Sequence, residues 1–215
     1  DRPQTRVPRL HERLPVLVRE QVERGGDALA HRCDDRGRVA VSPAERLVRY
    51  VAPGRLHTTF NFDHLWCEWG GPSQRAMIDT ILRVHADVDA PATWVIGNHD
   101  TTRVVTRYGK PETGWRFVAD GVHPDDALKF AEYFAPLPTD VALGRRRARA
   151  AALLEFALPG VAYIYQGEEL GLPEVEDLPV ESLQDPTWER SGHTIRGRDG
   201  CRVPLPRSGE RPPYG

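Results

Sequence analysis

The sequence is poor in lysine, cysteine and methionine. Only Lys110 and Lys129 are lysines among 29 basic residues, so 27 are arginines. The simplest account of this imbalance is GC-rich coding bias, which carries no function. The three cysteines are an odd number and lie far apart in the sequence, which argues against a disulfide framework. The only methionine is Met77, so the chain does not begin with one, and we expect it to be an excised or truncated piece.

Long hydrophobic runs and an excess of one charge are also missing. No apolar run approaches the roughly 18 to 20 residues of a membrane span, and residues 1–10 are polar rather than typical of a signal peptide. Acidic and basic residues nearly cancel, 31 against 29, so there is no uncompensated basic surface for phosphates. We expect the arginines at 145–147 to form a solvated helix face. The sequence therefore predicts a soluble, cytoplasmic protein without a nucleic-acid or membrane partner.

Along the middle of the chain, segments with the apolar pattern of strands alternate with segments that have the apolar spacing of helices. Residues 1–37 are poorly patterned, and residues 172–215 are turn-rich and aperiodic. Between them the pattern predicts strands at 38–41, 56–62, 93–97 and 161–165, helices at 43–51, 74–88 and 143–158, and a further helix at 124–134 within a long polar stretch. The segments at 93–97 and 161–165 are continuous apolar runs, as in buried parallel strands. This alternation predicts a parallel α/β fold.

Polar clusters follow two of these strands. Asn98-His99-Asp100 follows the strand at 93–97, and Gln166-Gly167-Glu168-Glu169 follows the strand at 161–165. Ligand sites of parallel α/β folds gather at the carboxyl ends of strands. An amide, an imidazole and a carboxylate together suit recognition of sugar hydroxyls or stabilisation of a developing positive charge. Capping of a following helical turn is the structural alternative for Asp100.

Four sequence blocks occur in an order that is specific to one family. They are Phe60-Asn61-Phe62-Asp63, then residues 94–103 around Asn98-His99-Asp100, then Leu158-Pro159-Gly160 with residues 163–173, and finally Arg198-Asp199-Gly200-Cys201-Arg202 with Pro204. Together they resemble glycoside hydrolase family 13, the α-amylase family, and within it the α-glucosidase and oligo-1,6-glucosidase group. The resemblance covers residues 39–206. One departure is Arg207, where related sequences tend to carry an aromatic residue.

The resemblance implies part of a TIM (β/α)8 barrel. Residues 38–171 would supply the C-terminal half of the barrel, with the four predicted strands as the fifth to the eighth, and residues 172–215 would form a long irregular segment after the last strand. The first four strands have no counterpart in the chain.

The resemblance also implies roles for individual residues. Asp100 matches the carboxylate that holds sugar hydroxyls and stabilises the oxocarbenium-like transition state, and His99 matches its sugar-binding neighbour. Asn98 and Arg103 would support them, Glu168 and Glu169 would shape the pocket rim, and Asp63 is a further substrate-binding candidate. No cofactor and no metal is implied.

Two other carboxylates that the family's chemistry requires are missing. Retaining glycoside hydrolysis needs a nucleophile and an acid/base group about 5 Å apart. In the family the nucleophile lies in an Arg-x-Asp sequence on the fourth strand, and no such sequence ends an apolar strand here. The acid should close the fifth strand, where Val41 runs directly into Ser42-Pro43; Glu45 is the nearest carboxylate, but a capping-box position explains it better.

The sequence thus predicts a fragment of a retaining α-glucosidase that acts on terminal α-linked glucose of oligosaccharides and is inactive alone. The free chain should self-associate through unpaired barrel edges. A trehalose-synthase-like transglycosylase fragment and a non-catalytic sugar-binding or interaction protein of the same ancestry remain alternatives. A different class of function is a zinc site formed by His31, Cys33, His64 and Cys67, whose paired spacings are tolerable for tetrahedral binding.

Overall fold

The computed structural model of the chain describes residues 44–117 and 135–206. The predicted strand at 38–41, the predicted helix at 124–134, the segment 1–37 and Arg207 lie outside these ranges. Helix α1 spans Ala44–Leu47 and continues as a 3-10 turn over Val48–Tyr50, as the helix prediction for 43–51 requires. No helix in the described ranges is long and apolar enough to cross a membrane.

The predicted strand at 56–62 is wrong. Phe62 instead begins helix α2, Phe62–Trp66, because the Asn61 side chain accepts a hydrogen bond from the His64 N–H at 3.1 Å and caps the helix. The preceding residues make no ladder with any strand of the described ranges, and Thr59 offers its carbonyl to the Thr93 hydroxyl. The aromatic and β-branched residues of this segment favoured a strand. The Asn61 cap instead starts a helix at Phe62.

Helix α3, Gly71–Ala86, carries the main core. It begins three residues before the predicted start because Pro72 occupies its first turn, where a missing N–H costs nothing. Its buried side chains, with Met77 and Ile81 fully enclosed, pack against Trp94 and Val95 of the sheet. Helix α3 and the sheet therefore share one apolar core.

Two parallel strands form the sheet of the described residues. Strand β1, Thr93–Val95, pairs in register with strand β2, Val161–Tyr163, so that Trp94 faces Ala162. Both strands lie where the sequence predicts them, and both end two residues early. Strand β1 is entirely buried, whereas the prediction that the second strand is buried is wrong because Val161 is 38% exposed. Strand β2 has only β1 as a neighbour within the described ranges.

Two helices that follow β1 and precede β2 in the chain pack against each other. Helix α4, Val104–Tyr108, lies in the stretch predicted as loop, and helix α5, Val141–Ala157, begins two residues before its predicted start because the Asp140 side chain accepts from the Leu143 N–H at 2.9 Å. Gly144 lets the two helices touch, since a Cβ there would lie 2.0 Å from the Val105 carbonyl oxygen.

Residues after β2 contain little regular structure, in agreement with the sequence pattern. They form a 3-10 turn at Val180–Ser182, the short helix α6 at Pro186–Arg190 and a 3-10 turn at Asp199–Cys201. This segment, residues 172–206, is called the excursion below. It folds back so that its last turn meets the loop after β1.

Candidate functional site

The loop after β1 is shaped by Asn98. Its side-chain oxygen accepts hydrogen bonds from the Asp100 N–H at 2.8 Å and from the Thr101 hydroxyl at 3.3 Å, which closes a tight turn. Asn98 itself is almost completely buried, while His99 and Asp100 are half-buried. The amide therefore orients the two following side chains and lies beneath them.

The Asp100 carboxylate is the charged centre of this loop. Its Oδ1 accepts from Arg198 Nη1 at 2.9 Å and from Arg202 Nη2 at 2.8 Å, and its Oδ2 lies 3.5 Å from His99 Nε2. The Asp100 side chain is 27% exposed, so a solute can reach it. A partly exposed carboxylate fixed by two guanidinium groups suits hydrogen bonding to hydroxyls and stabilisation of positive charge.

The His99 backbone is held from the same side. Its carbonyl accepts from Arg202 Nε at 2.7 Å and from the Cys201 thiol at 3.4 Å. Burial raises the pKa of Cys201 to about 12, with nearby Glu174 adding to the rise, so this thiol stays protonated and remains a donor at neutral pH. The loop after β1 and the end of the excursion thus form one bonded unit.

Arg103 joins three segments from a buried position. It donates from Nη1 to the Gln166 carbonyl and from Nη2 to the Cys201 carbonyl, each at 2.9 Å, and its guanidinium lies over the Tyr165 ring at 5.3 Å. With only 3% of its surface exposed, Arg103 supports the loop from within. The supporting role of Arg103 in sugar binding stays a prediction.

Glu168 lies behind the loop, against the end of β1. A Cβ on Gly97 would lie 2.8 Å from Glu168 Oε2, and the same oxygen accepts from the Tyr165 N–H at 3.3 Å. Burial raises the pKa of Glu168 to about 7, and burial together with Glu168 raises the pKa of Glu155 to about 8. Glu169 is exposed and accepts from the Gly167 N–H at 2.8 Å.

The remaining predicted carboxylates lie on helices α2 and α1. Asp63 is buried in the first turn of α2, so its role as a substrate-binding residue stays a prediction. Glu45, the weak candidate for an acid, is exposed and forms a 3.0 Å ion pair with Arg83 of α3. That pairing gives Glu45 a surface role on α1.

The zinc alternative has no support in the described residues. No group of three or more possible metal ligands occurs there, and His31 and Cys33 lie outside the described ranges. His64 Nδ1 accepts from the Val95 N–H at 3.1 Å. Burial lowers the pKa of His64 to about 3 and raises that of Cys67 to about 12, so the imidazole is neutral and the thiol protonated.

The arginines of the last block are functional candidates that sequence reasoning did not assign. Arg198 and Arg202 belong to the block that carries part of the family resemblance, yet no role followed from the pattern, because their contacts with Asp100 span about a hundred residues. Asp185 was missed entirely; it lies in the turn-rich excursion and gave no sequence signal. The fold places Arg198 and Arg202 against Asp100, and Asp185 against Arg198.

Comparison with known proteins finds relatives that are similar over part of their length. A "Probable alpha-glucosidase" from Rhizobium meliloti (strain 1021) is 37% identical over 114 residues, which is 53% of this chain and 15% of the relative. The alpha-glucosidase MAL32 of Saccharomyces cerevisiae is 25% identical over 246 aligned positions, covering 98% of this chain and 36% of the yeast protein. No protein-family model matches the chain.

A solved structure gives the same result for the fold. The crystal structure of an alpha-glucosyl transfer enzyme, XgtA, is similar with a TM-score of 0.53 and 30% identity, over 79% of this chain and 25% of that chain. The likeness supports a piece of a larger α/β enzyme fold. The chain spans only 15% and 36% of the two curated relatives above. These similarities, with the sequence blocks around Asp100, support a likeness to the α-glucosidases of glycoside hydrolase family 13.

Proposed function

We propose that the chain is part of a retaining α-glucosidase and forms the wall of its active site that holds the terminal glucose. One observation carries the proposal: the partly exposed Asp100 carboxylate follows β1 and is fixed by Arg198, Arg202 and His99. Hydrolysis of an α-glucoside passes through an oxocarbenium-like transition state. A fixed negative charge beside the sugar ring favours that state over the neutral substrate.

We further propose that the chain does not turn over by itself. A retaining glycosidase needs two more carboxylates, about 5 Å apart, as nucleophile and acid/base. No Arg-x-Asp sequence ends an apolar strand predicted from the sequence, and Glu45 is engaged with Arg83 on the surface. Asp100 alone can bind and orient a sugar, and it leaves the bond-breaking steps without a nucleophile.

Glucosyl transfer is a second candidate for the complete protein. It is favoured by the similarity to XgtA, which is described as an alpha-glucosyl transfer enzyme. A non-catalytic sugar-binding protein is the alternative from a different class. An upstream reading frame with an intact Arg-x-Asp strand would support a truncated enzyme, and its absence would support the sugar-binding protein.

The activity proposal is tested with an aryl α-glucoside and the purified chain. We expect no hydrolysis above the buffer rate, because one carboxylate cannot supply nucleophile and acid together. Measurable burst or steady turnover would overturn the claim of inactivity.

The binding proposal is tested by titrating the chain with 1-deoxynojirimycin, a cationic glucose analogue, in a calorimeter. We expect saturable binding, weakened about tenfold or more in Asp100→Asn, since loss of a charge-assisted hydrogen bond costs about 1.5–3 kcal/mol. Asp79→Asn is the matched control, because Asp79 is an exposed aspartate paired with Arg75 on α3. Equal binding by the Asp100→Asn variant, or no binding by the wild-type chain, would overturn the proposal.

A further inference from the structure

Asp185 is a fully enclosed carboxylate near the candidate site. Its side chain has no exposed surface, and both of its oxygens are used. Oδ2 accepts from Arg198 Nε at 2.5 Å and from the Arg198 N–H at 3.0 Å, while Oδ1 accepts from Arg198 Nη2 at 3.2 Å. This is a two-pronged carboxylate–guanidinium pair, which fixes the plane of the arginine as well as its position.

Asp185 also caps a helix, but capping does not explain its pair with Arg198. Asp185 Oδ1 also accepts from the Thr187 N–H at 2.9 Å and so caps α6, a helix of five residues. A cap needs one oxygen and tolerates exposure, whereas Asp185 is buried and directs most of its hydrogen-bonding capacity to Arg198. The cap therefore leaves the arginine pair unexplained.

The backbone around Asp185 is built to hold that pair. The Asp199 carboxylate accepts from the Gln184 N–H at 2.7 Å and from the Asp185 N–H at 2.8 Å. Gly197 has φ +74°, and a Cβ there would lie 2.7 Å from the Asp185 Cβ, so the two chain segments are in direct contact. The residues on either side of Arg198 are thus locked to the segment that carries Asp185.

The second arginine of the site lies within reach of the same carboxylate. Arg202 Nη1 is 3.8 Å from Asp185 Oδ2, while its Nη2 donates to Asp100. Two guanidinium groups therefore stand between two carboxylates, Asp185 on the buried side and Asp100 on the partly exposed side. Burial would raise the pKa of Asp185, but hydrogen bonds from Arg198 and Thr187 outweigh it and hold that pKa well below its usual range.

We propose that Asp185 is a positioning residue for the sugar site: it fixes Arg198, and with it Arg202, so that their donors converge on Asp100 Oδ1. The consequence is a defined orientation of the Asp100 carboxylate, with Oδ2 on the side of His99. Asp185 itself acts only through the arginines. The inference rests on the proposed sugar-binding role of Asp100.

The test compares the wild-type chain with Asp185→Asn. The amide oxygen of asparagine can still cap Thr187, whereas the charge that holds Arg198 is lost. One readout is the Arg198 Nε–H signal in ¹⁵N NMR, whose exchange with water we expect to accelerate at least tenfold. The second is the affinity for 1-deoxynojirimycin, which we expect to fall about tenfold.

Two further variants separate positioning from a merely structural role. Asp79→Asn, at an exposed aspartate of α3 paired with Arg75, neutralises a carboxylate away from the site and should change the affinity less than threefold. Arg198→Lys keeps a positive charge but cannot form the two-pronged pair, and should weaken binding as Asp185→Asn does. It also replaces that variant if near-UV circular dichroism shows Asp185→Asn to be unfolded.

The outcomes distinguish this inference from the function on which it rests. If the wild-type chain fails to bind the probe, the proposed function fails, and the Arg198 exchange rate alone then decides whether Asp185 positions the arginine. Unchanged exchange, or binding that survives both Asp185→Asn and Arg198→Lys, would overturn the positioning role. Accelerated exchange with reduced binding supports it.

Discussion

Glu155 and Glu168 are buried carboxyl groups whose ionisation destabilises the folded chain. Glu155 is 1% exposed, and no described residue donates to either of its oxygens; Glu168 Oε1 is likewise buried without a donor. Burial, together with repulsion between the two groups, raises the pKa of Glu155 to about 8, and burial raises that of Glu168 to about 7. Both side chains therefore favour the protonated form in the folded chain.

This pair makes stability depend on pH in a defined direction. A carboxyl group with a folded-state pKa above its unfolded value stabilises the fold fully below the unfolded pKa and loses that contribution as pH rises through the folded pKa. The relevant window runs from about 4.5 to 8. Buried His64 has the opposite effect, because its pKa is lowered to about 3 and its contribution grows between there and about 6.5. Between pH 6.5 and 8 the titrating groups are therefore the buried glutamates, which include Glu174, whose pKa burial also raises to about 7.

We predict that the wild-type chain loses stability between pH 6.5 and 8, with a slope of up to about 1.4 kcal/mol per pH unit for each group. Glu155→Gln removes the larger shift and should flatten the slope. Urea unfolding at several pH values measures it. A matched variant is Glu181→Gln, an exposed glutamate of the excursion, which should leave the slope unchanged. A flat wild-type profile would contradict the prediction.

At the scale of elements, the contact between α4 and α5 depends on a glycine, Gly144, which has no side chain. A Cβ at Gly144 would lie 2.0 Å from the Val105 carbonyl oxygen and 3.0 Å from the Gly109 nitrogen. Both are backbone atoms, so the clash cannot be relieved by a side-chain rotation. The contact positions α4 immediately after the Asp100 loop.

We predict that Gly144→Ala destabilises the fold by about 1–3 kcal/mol, as overpacking does, although alanine is the better helix former. Gly71→Ala at the start of α3 is the matched control, since a Cβ there meets nothing within 4 Å. It should be neutral or stabilising by about 0.4–1 kcal/mol. Thermal unfolding compares the two, and a Gly144→Ala variant as stable as Gly71→Ala would refute the close-contact argument.

Over the whole molecule, one side of the sheet and of α5 is not covered by described residues. Leu153 and Phe156 are each 65% exposed on α5, and Val161 and Ile164 are more than a third exposed on and just after β2. Strand β2 also has only one strand neighbour in the described ranges. Exposed apolar residues beside an open strand edge favour pairing with another chain.

We predict that the isolated chain self-associates in a concentration-dependent manner. Replacing Leu153 and Phe156 by glutamate should shift the distribution towards monomer, because charged side chains resist burial in an interface. Ala150→Glu, on an exposed position of the same helix, is the control and should leave association unchanged. Light scattering coupled to size exclusion reports the mass. A wild-type chain that remains monomeric up to high concentration would contradict the prediction.

Helices and the two central strands could be predicted from the sequence because their signals are local. The apolar run at 93–97 and the spacing from 74 to 88 gave β1 and α3 within a few residues. The strand at 56–62 failed because composition cannot weigh a cap at Asn61 against a missing strand partner. Helix α4 was missed because it is short and owes its place to packing against α5.

The sequence alone predicted the family resemblance and the candidate residues Asn98, His99 and Asp100, because both predictions depend only on the order of residues along the chain. The tertiary structure decided what surrounds Asp100: Arg198 and Arg202 come from about a hundred residues away, and Asp185 holds Arg198 from a segment without periodicity. Buried ion pairs require exact mutual orientation of distant groups. That orientation is a property of the folded backbone, and no local pattern encodes it.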